Sequence, residues 1–413
     1  MNYGLIGEKL GHSFSAEIHH RLFGYEYELK ELRRDELADF ITGRSFKAIN
    51  VTIPYKEAVI PYLDYVDDVA KSIGAVNTIV NRNGKLYGYN TDFLGLKALI
   101  TRNGISLKDK SVLILGSGGT SKTALAVAKS LECRQVTRVS LTEEEGCITY
   151  SQAKNEYANV DILINTTSCG MYPKIGESAV NIEDYPQLQG IVDVVYNPLR
   201  TKLVCDGLHR GIPSVGGLYM LVSQAAFAAE LFTGQKVAPE KIEQIFEDLF
   251  HQKENVVLVG MPGCGKSTVG KVLAEQLSYH FIDTDQEIIK QDGRQIPTIF
   301  AEEGEVGFRQ LESQVIRRVS ACQSAIIATG GGAILNPENV ALLKENGRIY
   351  FLDRSLELLI STPDRPLSST PEALKKRFDE RYDTYCSVCD NLIQANGTIE
   401  EVTKQIREDF ASE

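Results

Sequence analysis

The run Gly260-Met-Pro-Gly263-Cys264-Gly265-Lys266-Ser267-Thr268 holds the clearest chemistry in the chain. Its spacing is G-x-x-x-x-G-K-S. The glycines let the backbone turn its N–H groups around a phosphate, Lys266 offers a cation to the outer phosphates, and Ser267 offers a hydroxyl to Mg²⁺. The elements needed to position these groups are legible on either side. Val256 to Val259 predicts a buried strand, and a helix from Thr268 to Leu277 presents its positive end to the same anion. Such a loop hangs from the first strand of its domain, so the residues before about 253 are expected to form a separate, complete protein.

A second chemistry is offered upstream. In Phe46-Lys-Ala-Ile-Asn50-Val-Thr52-Ile-Pro54-Tyr-Lys56 a strand ends at a proline that can open a helix. Lys56 then falls in the first turn, where the helix dipole disfavours a cation. That conflict marks it as a functional candidate; a solvated surface lysine is the plain alternative. Asn83-Gly84 predicts a type I′ hairpin turn, after which Asn90-Thr91-Asp92 leads into a helix with apolar Leu96, Leu99 and Ile100. Taken alone, Asp92 reads as an N-cap. Ser13 and Ser15 precede a helix running through Phe23. They read as caps, with Ser15 the better, or as two hydroxyls for a small carboxylate.

Ser111-Val-Leu-Ile-Leu followed by Gly116-Ser-Gly118-Gly119-Thr120 and a helix is a variant of the dinucleotide-binding fingerprint. The next strand ends at Ser140, where an NAD-type site usually has an acid, and Arg138 lies on the same strand face. Past the phosphate loop, Asp283 and Asp285 predict a strand ending in two carboxylates on one face. Arg309 and Glu312 are helix neighbours at i, i+3. Ala325-Ile-Ile-Ala-Thr-Gly330-Gly331-Gly332 brings backbone N–H groups abruptly off a strand.

The chain has 413 residues, 43% of them hydrophobic and 24% charged, which predicts two or three globular domains. A net charge of −11 argues against broad nucleic-acid or anionic-membrane binding. No segment reads as a leader or membrane span, so a cytoplasmic location is expected. Eight cysteines without a framework predict reduced thiols.

In order along the chain, Gly11-His-Ser13-Phe-Ser15, Asn50-Val-Thr52-Ile-Pro54-Tyr-Lys56, Ala75-Val-Asn77-Thr and Asn90-Thr91-Asp92 resemble shikimate dehydrogenase. Strand-end loops at Asn165-Thr166-Thr167-Ser-Cys-Gly170-Met171 and Asp193-Val-Val-Tyr196-Asn-Pro198 extend the resemblance to about residue 248. It implies that Ser13, Ser15 and Tyr196 reach the substrate carboxylate. It implies that Thr52, Asn77, Asp92 and Gln224 contact ring hydroxyls, and that Lys56 and Asp92 form the catalytic pair. Thr166 and Met171 join the glycine turn as cofactor-binding candidates. Ser140 in place of an acid favours NADP, whereas that family usually carries an arginine where this chain has Leu141, which with the glutamates that follow keeps NAD open.

The later set, D-x-D at Asp283 and Asp285, F-R-x-x-E, G-G-G, D-R-P-L and E-R, resembles shikimate kinase over residues 255 to 413. That resemblance implies that Ser267 and Asp283 serve Mg²⁺, Lys266 grips the transferring phosphates and Asp285 activates the accepting hydroxyl. Arg309 and Arg381 would clamp the carboxylate with Gly331 and Gly332, and Arg365 would come from a closing lid. Ser361 and Ser368 depart from the family pattern.

The expected architecture is α/β. A substrate domain at 1–103, completed by a returning helix at about 218–250, is followed by a Rossmann domain at 104–217. A phosphate-loop kinase domain of the nucleoside monophosphate kinase type occupies 254–413. His251 to Asn255 forms a short polar joint compatible with helix extension. The expected activities are reduction of 3-dehydroshikimate to shikimate and phosphorylation of shikimate with ATP and Mg²⁺. The alternative is an NAD-dependent quinate or shikimate dehydrogenase fused to a regulatory nucleotide-binding module. Oligomeric state is not specified.

Overall fold

Ser111–Leu115 and Asn255–Val259 are buried at every position, the pattern of parallel strands covered on both faces. Each valine, leucine or isoleucine so buried contributes roughly 1.5–3 kcal/mol. These two strands fix the centres of the two nucleotide-type sheets in the computed structural model, which describes residues 1–11, 14–359 and 370–411. The chain divides into two units. Unit 1 comprises Met1–Gly170, Ser178–Asn197 and Asp206–Leu249; unit 2 comprises Met171–Glu177, Pro198–Cys205 and the chain from Phe250 on.

Unit 1 holds two six-stranded sheets. The first contains β1 (Tyr3–Gly7), β2 (Glu28–Glu31), β3 (Ala48–Val51), β4 (Tyr65–Val66), β5 (Thr78–Arg82) and β6 (Lys85–Tyr89), in the order β2-β1-β3-β5-β6-β4. Pairings β3 to β5 and β5 to β6 are antiparallel and the others parallel. Asn83 and Gly84 have φ of 54° and 80° and join β5 to β6, as a type I′ turn requires. The second sheet contains β7 (Ser111–Leu115), β8 (Gln135–Ser140), β9 (Cys147–Thr149), β10 (Ile162–Asn165), β11 (Gly190–Asp193) and β12 (Ser214–Val215). Its order is β12-β11-β10-β7-β8-β9, all parallel.

Unit 2 carries a five-stranded parallel sheet of β13 (Asn255–Val259), β14 (His280–Asp283), β15 (Ala325–Ala328), β16 (Gly347–Asp353) and β17 (Asn391–Gln394). The order is β14-β15-β13-β16-β17. In both parallel sheets the strand order reverses beside the first strand, between β7 and β10 and between β13 and β15. Crevices at such switch points, outside the strands' carboxyl ends, are where doubly wound sheets bind ligands. The glycine turn leaves β7 and the phosphate loop leaves β13 at those points.

Several local expectations are corrected. Pro54 opens no α-helix: the chain turns at once, with Tyr55 N donating to Thr52 O at 2.9 Å and the Tyr55 hydroxyl buried against Leu32 O at 2.5 Å. Lys56 therefore sits in a turn, not under a helix dipole. Ser15 does not cap its helix; it is the first helical residue, and the cap position is Phe14. Asp92 is likewise one residue inside the helix Thr91–Arg102, whose cap is Asn90, accepting from Phe93 N at 3.1 Å. The helix after the phosphate loop starts at Lys266, two residues earlier than expected.

The returning helix, Leu218–Thr233, packs on Thr91–Arg102 at Gly95, where a Cβ would stand 2.8 Å from both Gln224 Cβ and Met220 O. Only glycine permits that approach, and the approach carries Gln224 inward. The helix Pro239–Lys253 runs through the expected joint, leaving one residue, Glu254, before β13. Glu254 is 1% exposed and holds Arg200 at 2.7 Å on one carboxylate oxygen and Arg348 at 3.0 Å on the other. All eight cysteines are free thiols. No helix among the described residues is long and apolar enough to cross a membrane.

Candidate functional sites

A cavity of about 230 Å³ in unit 1 is lined by Ser15, Thr52, Lys56, Asn77, Asp92, Thr120, Tyr196 and Gln224. Thr52 and Lys56 follow β3, Asn77 precedes β5, and Ser15, Asp92 and Thr120 stand in the first turns of three helices. Tyr196 lies in the loop after β11, and Gln224 is in the second turn of the returning helix. Lys56 Nζ donates to Asp92 Oδ2 at 2.6 Å, with the side chains 19% and 13% exposed. Such a pair, largely withdrawn from water, holds an ammonium at one place in the cavity. Asn77 is buried, its Oδ1 accepting from Thr91 N at 2.7 Å and its Nδ2 donating to Thr91 Oγ1 at 3.2 Å. Burial raises the Tyr196 phenol above its ordinary range, which keeps it a hydrogen-bond donor. Gln224 Nε2 donates to Leu221 O at 2.9 Å, leaving its carbonyl oxygen for other partners.

The sequence reading missed Asn50, which also lines this cavity. Its Oδ1 accepts from Tyr27 at 2.8 Å and its Nδ2 donates to Thr78 Oγ1 at 3.0 Å. The available signal was alternation: Asn50 and Thr52 are two apart at the end of β3 and so share a face. Thr120, read only as part of the cofactor turn, also reaches this cavity. Ser13 lies outside the described residues.

The glycine turn fits a dinucleotide. Gly116 has φ of 113° and stands so close to β10 that a Cβ would lie 2.7 Å from Thr166 Oγ1, while Gly118 and Gly119 face open space at the start of the helix Gly119–Ser130. Thr166 is fixed by donating to Leu115 O at 2.7 Å. Ser140 is buried at the end of β8, within 3.4 Å of Ser117 Oγ. Arg138 is half-buried on the same strand, and Leu141 is 89% exposed and followed by exposed Glu143, Glu144 and Glu145. Met171 belongs to a segment of unit 2 and is 44% exposed.

Unit 2 holds a larger cavity of about 710 Å³, lined by the phosphate loop, Asp283, Asp285, Arg309, Glu312, Gly330 to Gly332 and Arg381. Gly260, Gly263 and Gly265 all have positive φ, which wraps the loop. Lys266 Nζ folds over it, donating to Gly260 O at 2.8 Å and Met261 O at 3.0 Å. Ser267 Oγ donates to Asp283 Oδ2 at 2.6 Å. Two hard oxygens side by side at the loop's end fit Mg²⁺, which is commonly held by one or two protein oxygens together with water and substrate phosphates.

The D-x-D pair does not share a strand face. Asp283 ends β14 and caps the next helix, accepting from Asp285 N at 3.0 Å and Gln286 N at 3.3 Å, and Asp285 lies in that helix's first turn. The cap reaction of Asp283 with two free N–H groups wins over strand continuation. Arg309 donates to Glu312 at 2.6 Å and to Glu305 at 3.1 Å. Burial opposes its charge, but the glutamates outweigh burial and hold it raised. Arg381 Nη1 donates to Gly331 O at 3.0 Å, while its Nε and Nη2 are buried without a partner among the described residues. Burial draws the Arg381 guanidinium down from its ordinary value. Buried, unpaired N–H groups in a cavity are costly unless an acceptor arrives. Tyr385 ties the site together, its hydroxyl donating to Gly260 O at 3.1 Å and also contacting Gly331 O. Arg365, Ser361 and Ser368 lie outside the described residues.

Residues 262–411 match the family model described as shikimate kinase, and residues 5–79 match that described as the shikimate dehydrogenase substrate binding domain. A shikimate dehydrogenase (NADP(+)) of Clostridium perfringens is 38% identical over 264 residues, covering 60% of this chain and 97% of that protein. Among solved structures, a chorismate mutase/shikimate 5-dehydrogenase fusion protein from Clostridium acetobutylicum is similar with a TM-score of 0.57 and 35% identity, covering 60% of this chain and 96% of that one. Shikimate 5-dehydrogenase from Thermus thermophilus, in complex with NADP(H) and shikimate, gives 0.54 and 28%, covering 60% and 99%.

Proposed function

Since the chain belongs to the shikimate dehydrogenase family over 60% of its length and carries a shikimate kinase domain behind it, we propose a bifunctional enzyme that makes shikimate in unit 1 and phosphorylates it in unit 2. The observation that carries the reading is the Lys56–Asp92 contact inside a cavity that also contains Thr120 of the glycine turn. A proton donor and the start of a dinucleotide-binding helix meet in one pocket.

In unit 1 the substrate is 3-dehydroshikimate. NADPH, when bound along the glycine turn, supplies the two-electron reduction of the ring ketone. Lys56 gives a proton to the ketone oxygen as negative charge builds there, and Asp92 holds the ammonium in line. Ser15 and Tyr196 receive the carboxylate, and Thr52, Asn77 and Gln224 the ring hydroxyls. NADP as cofactor agrees with the naming of the curated relatives; Arg138 is the half-buried cation on the strand that ends at Ser140. Quinate oxidation with NAD is the less favoured reading, resting only on Leu141 and the acidic run.

In unit 2 Asp285 accepts the proton of a shikimate hydroxyl as that oxygen takes the γ-phosphoryl group of ATP, with ADP leaving. Lys266 and the loop N–H groups offset the phosphate charge, Ser267 and Asp283 would hold Mg²⁺, and Arg381 with Arg309 receives the carboxylate. The product is shikimate 3-phosphate. Action in the cytoplasm is part of the same proposal, supported by similarity to metabolic enzymes.

The deciding experiment supplies 3-dehydroshikimate, ATP, Mg²⁺ and either NADPH or NADH, following cofactor absorbance and ADP together. ADP should appear only after cofactor oxidation, and faster with NADPH. Cofactor oxidation without ADP would remove the kinase half of the proposal.

A further inference from the structure

Arg354 is the first residue after β16, and β16 lies directly beside β13, with Phe351 opposite Val259. The strand that ends at Asp353 therefore emerges alongside the phosphate loop. Arg354 Nη1 lies 3.9 Å from where a Cβ on Gly265 would stand, and Gly265 is the residue just before Lys266, with φ of 102°. Its Nε is buried and has no hydrogen-bond partner among the described residues. The adjacent acid does not neutralise it: Asp353 Oδ2 accepts from Tyr382 at 3.3 Å and Gln394 Nε2 at 3.2 Å. The backbone on the other side is pinned as well, with Ser355 N donating to Asn396 Oδ1 and Asn396 Nδ2 donating to Ser355 Oγ, both at 2.9 Å.

We infer that Arg354 is a further nucleotide-binding residue of unit 2, contacting the phosphate chain of bound ATP or ADP from the β16 side of the loop. The inference rests on the kinase reading. A half-buried guanidinium with a dry, unpartnered Nε is costly as it stands, and a guanidinium is suited to two phosphate oxygens at once. Of the cations that line the cavity, Lys266 is engaged on the loop's own carbonyls and Arg309 on Glu312 and Glu305. Arg381, whose Nε and Nη2 lack partners among the described residues, donates to Gly331 O beside the glycine run and not to the phosphate loop. Arg354 approaches the phosphate loop with no ion pair among the described residues, on a backbone already fixed, so little ordering is required when the polyanion arrives.

The test is calorimetric binding of Mg·ADP to the full chain and its Arg354→Ala, Arg354→Gln and Arg354→Lys variants, with pyrophosphate measured by competition. Loss of one charge-assisted contact should weaken ADP and pyrophosphate alike by about tenfold or more in the alanine and glutamine variants, with partial recovery in the lysine variant. The KM for shikimate and the unfolding temperature should stay at wild-type values. ADP affinity within twofold of wild type in the alanine and glutamine variants overturns the inference and leaves the kinase reading standing. So does a loss confined to ADP and absent for pyrophosphate, or one accompanied by an equal loss for shikimate. A wild-type chain that binds no Mg·ADP overturns the kinase reading and the inference together.

Discussion

Asp285 and Glu312 approach Gly330 from two different helices, so that a Cβ on that glycine would stand 2.9 Å from Asp285 Oδ1 and 2.8 Å from Glu312 Oε1. Two carboxylates converging on one backbone position favour protonation of the more buried. Glu312 is that one: burial raises it, Arg309 draws it back, and the Asp285 charge raises it further. Asp285, the less buried of the two, lines the cavity.

Asp285→Asn removes the proton acceptor while keeping shape. Phosphoryl transfer to shikimate should fall by about 100-fold or more, Mg·ATP binding should stay within a few-fold, and the dehydrogenase rate should be untouched. Stopped-time ADP assays and calorimetry on the same preparation check all three.

Gly332→Ala acts on the other wall of the cavity. The added methyl would stand 2.3 Å from Arg309 Nη2, so the guanidinium must swing away from Glu312. We expect the KM for shikimate to rise by about tenfold, as for loss of a charge-assisted contact, with the KM for ATP nearly unchanged. An unaltered shikimate KM would detach Arg309 from carboxylate binding.

Lys56→Ala should lower kcat for 3-dehydroshikimate reduction by about 100-fold or more, the usual worth of a positioned acid, with KM within about threefold of wild type. Steady-state kinetics at saturating NADPH decide this. A kcat near the parent's would take Lys56 out of the mechanism.

His19 gives unit 1 an acid-sensitive point. It is 1% exposed, stacked on Tyr27 with ring centroids 4.1 Å apart, and its Nδ1 lies 2.5 Å from the Tyr25 hydroxyl. Burial lowers its pKa to about 3, against a smaller raising contribution from Asn50. The unfolded imidazole takes a proton below about 6.5 and the folded one does not, so stability is full above about pH 6.5 and declines as pH falls toward 3. By pH 5 the loss is about 2 kcal/mol at roughly 1.4 kcal/mol per pH unit. Urea unfolding of His19→Gln should show a shallower decline over pH 6.5 to 4, whatever its absolute stability; an identical slope would exclude His19 as the source.

The strands that read most plainly in the sequence are those whose environment is set locally. Val256 to Val259 and Val112 to Leu115 are buried because they are apolar throughout, and the turn at Asn83-Gly84 needs only its own two residues. The positions misread are those decided by competition between neighbours. Ser15 is a good cap by type, but the helix starts on it. Asp283 has two free N–H groups ahead of it and turns the chain into a helix, carrying Asp285 off the strand. Pro54 has the right residue type for a helix start, yet burial of the Tyr55 side chain against Leu32 O draws the chain into a turn. Asn50 could be read only from its alternation with Thr52, and Glu312 only as the helix neighbour of Arg309. The approach of Glu312 to Asp285, and that of Arg354 to Gly265, join segments far apart in the chain, which no local pattern discloses.

Glu254 determines how this protein can be taken apart. A fragment beginning at residue 250 would keep Arg348 but lose Arg200, leaving one carboxylate oxygen of a buried acid facing no cation. Breaking a buried ion pair costs about 3–5 kcal/mol, a large share of the stability of an ordinary domain. A free-standing kinase polypeptide cut at this point therefore carries an under-partnered buried acid, which Glu254→Gln would relieve.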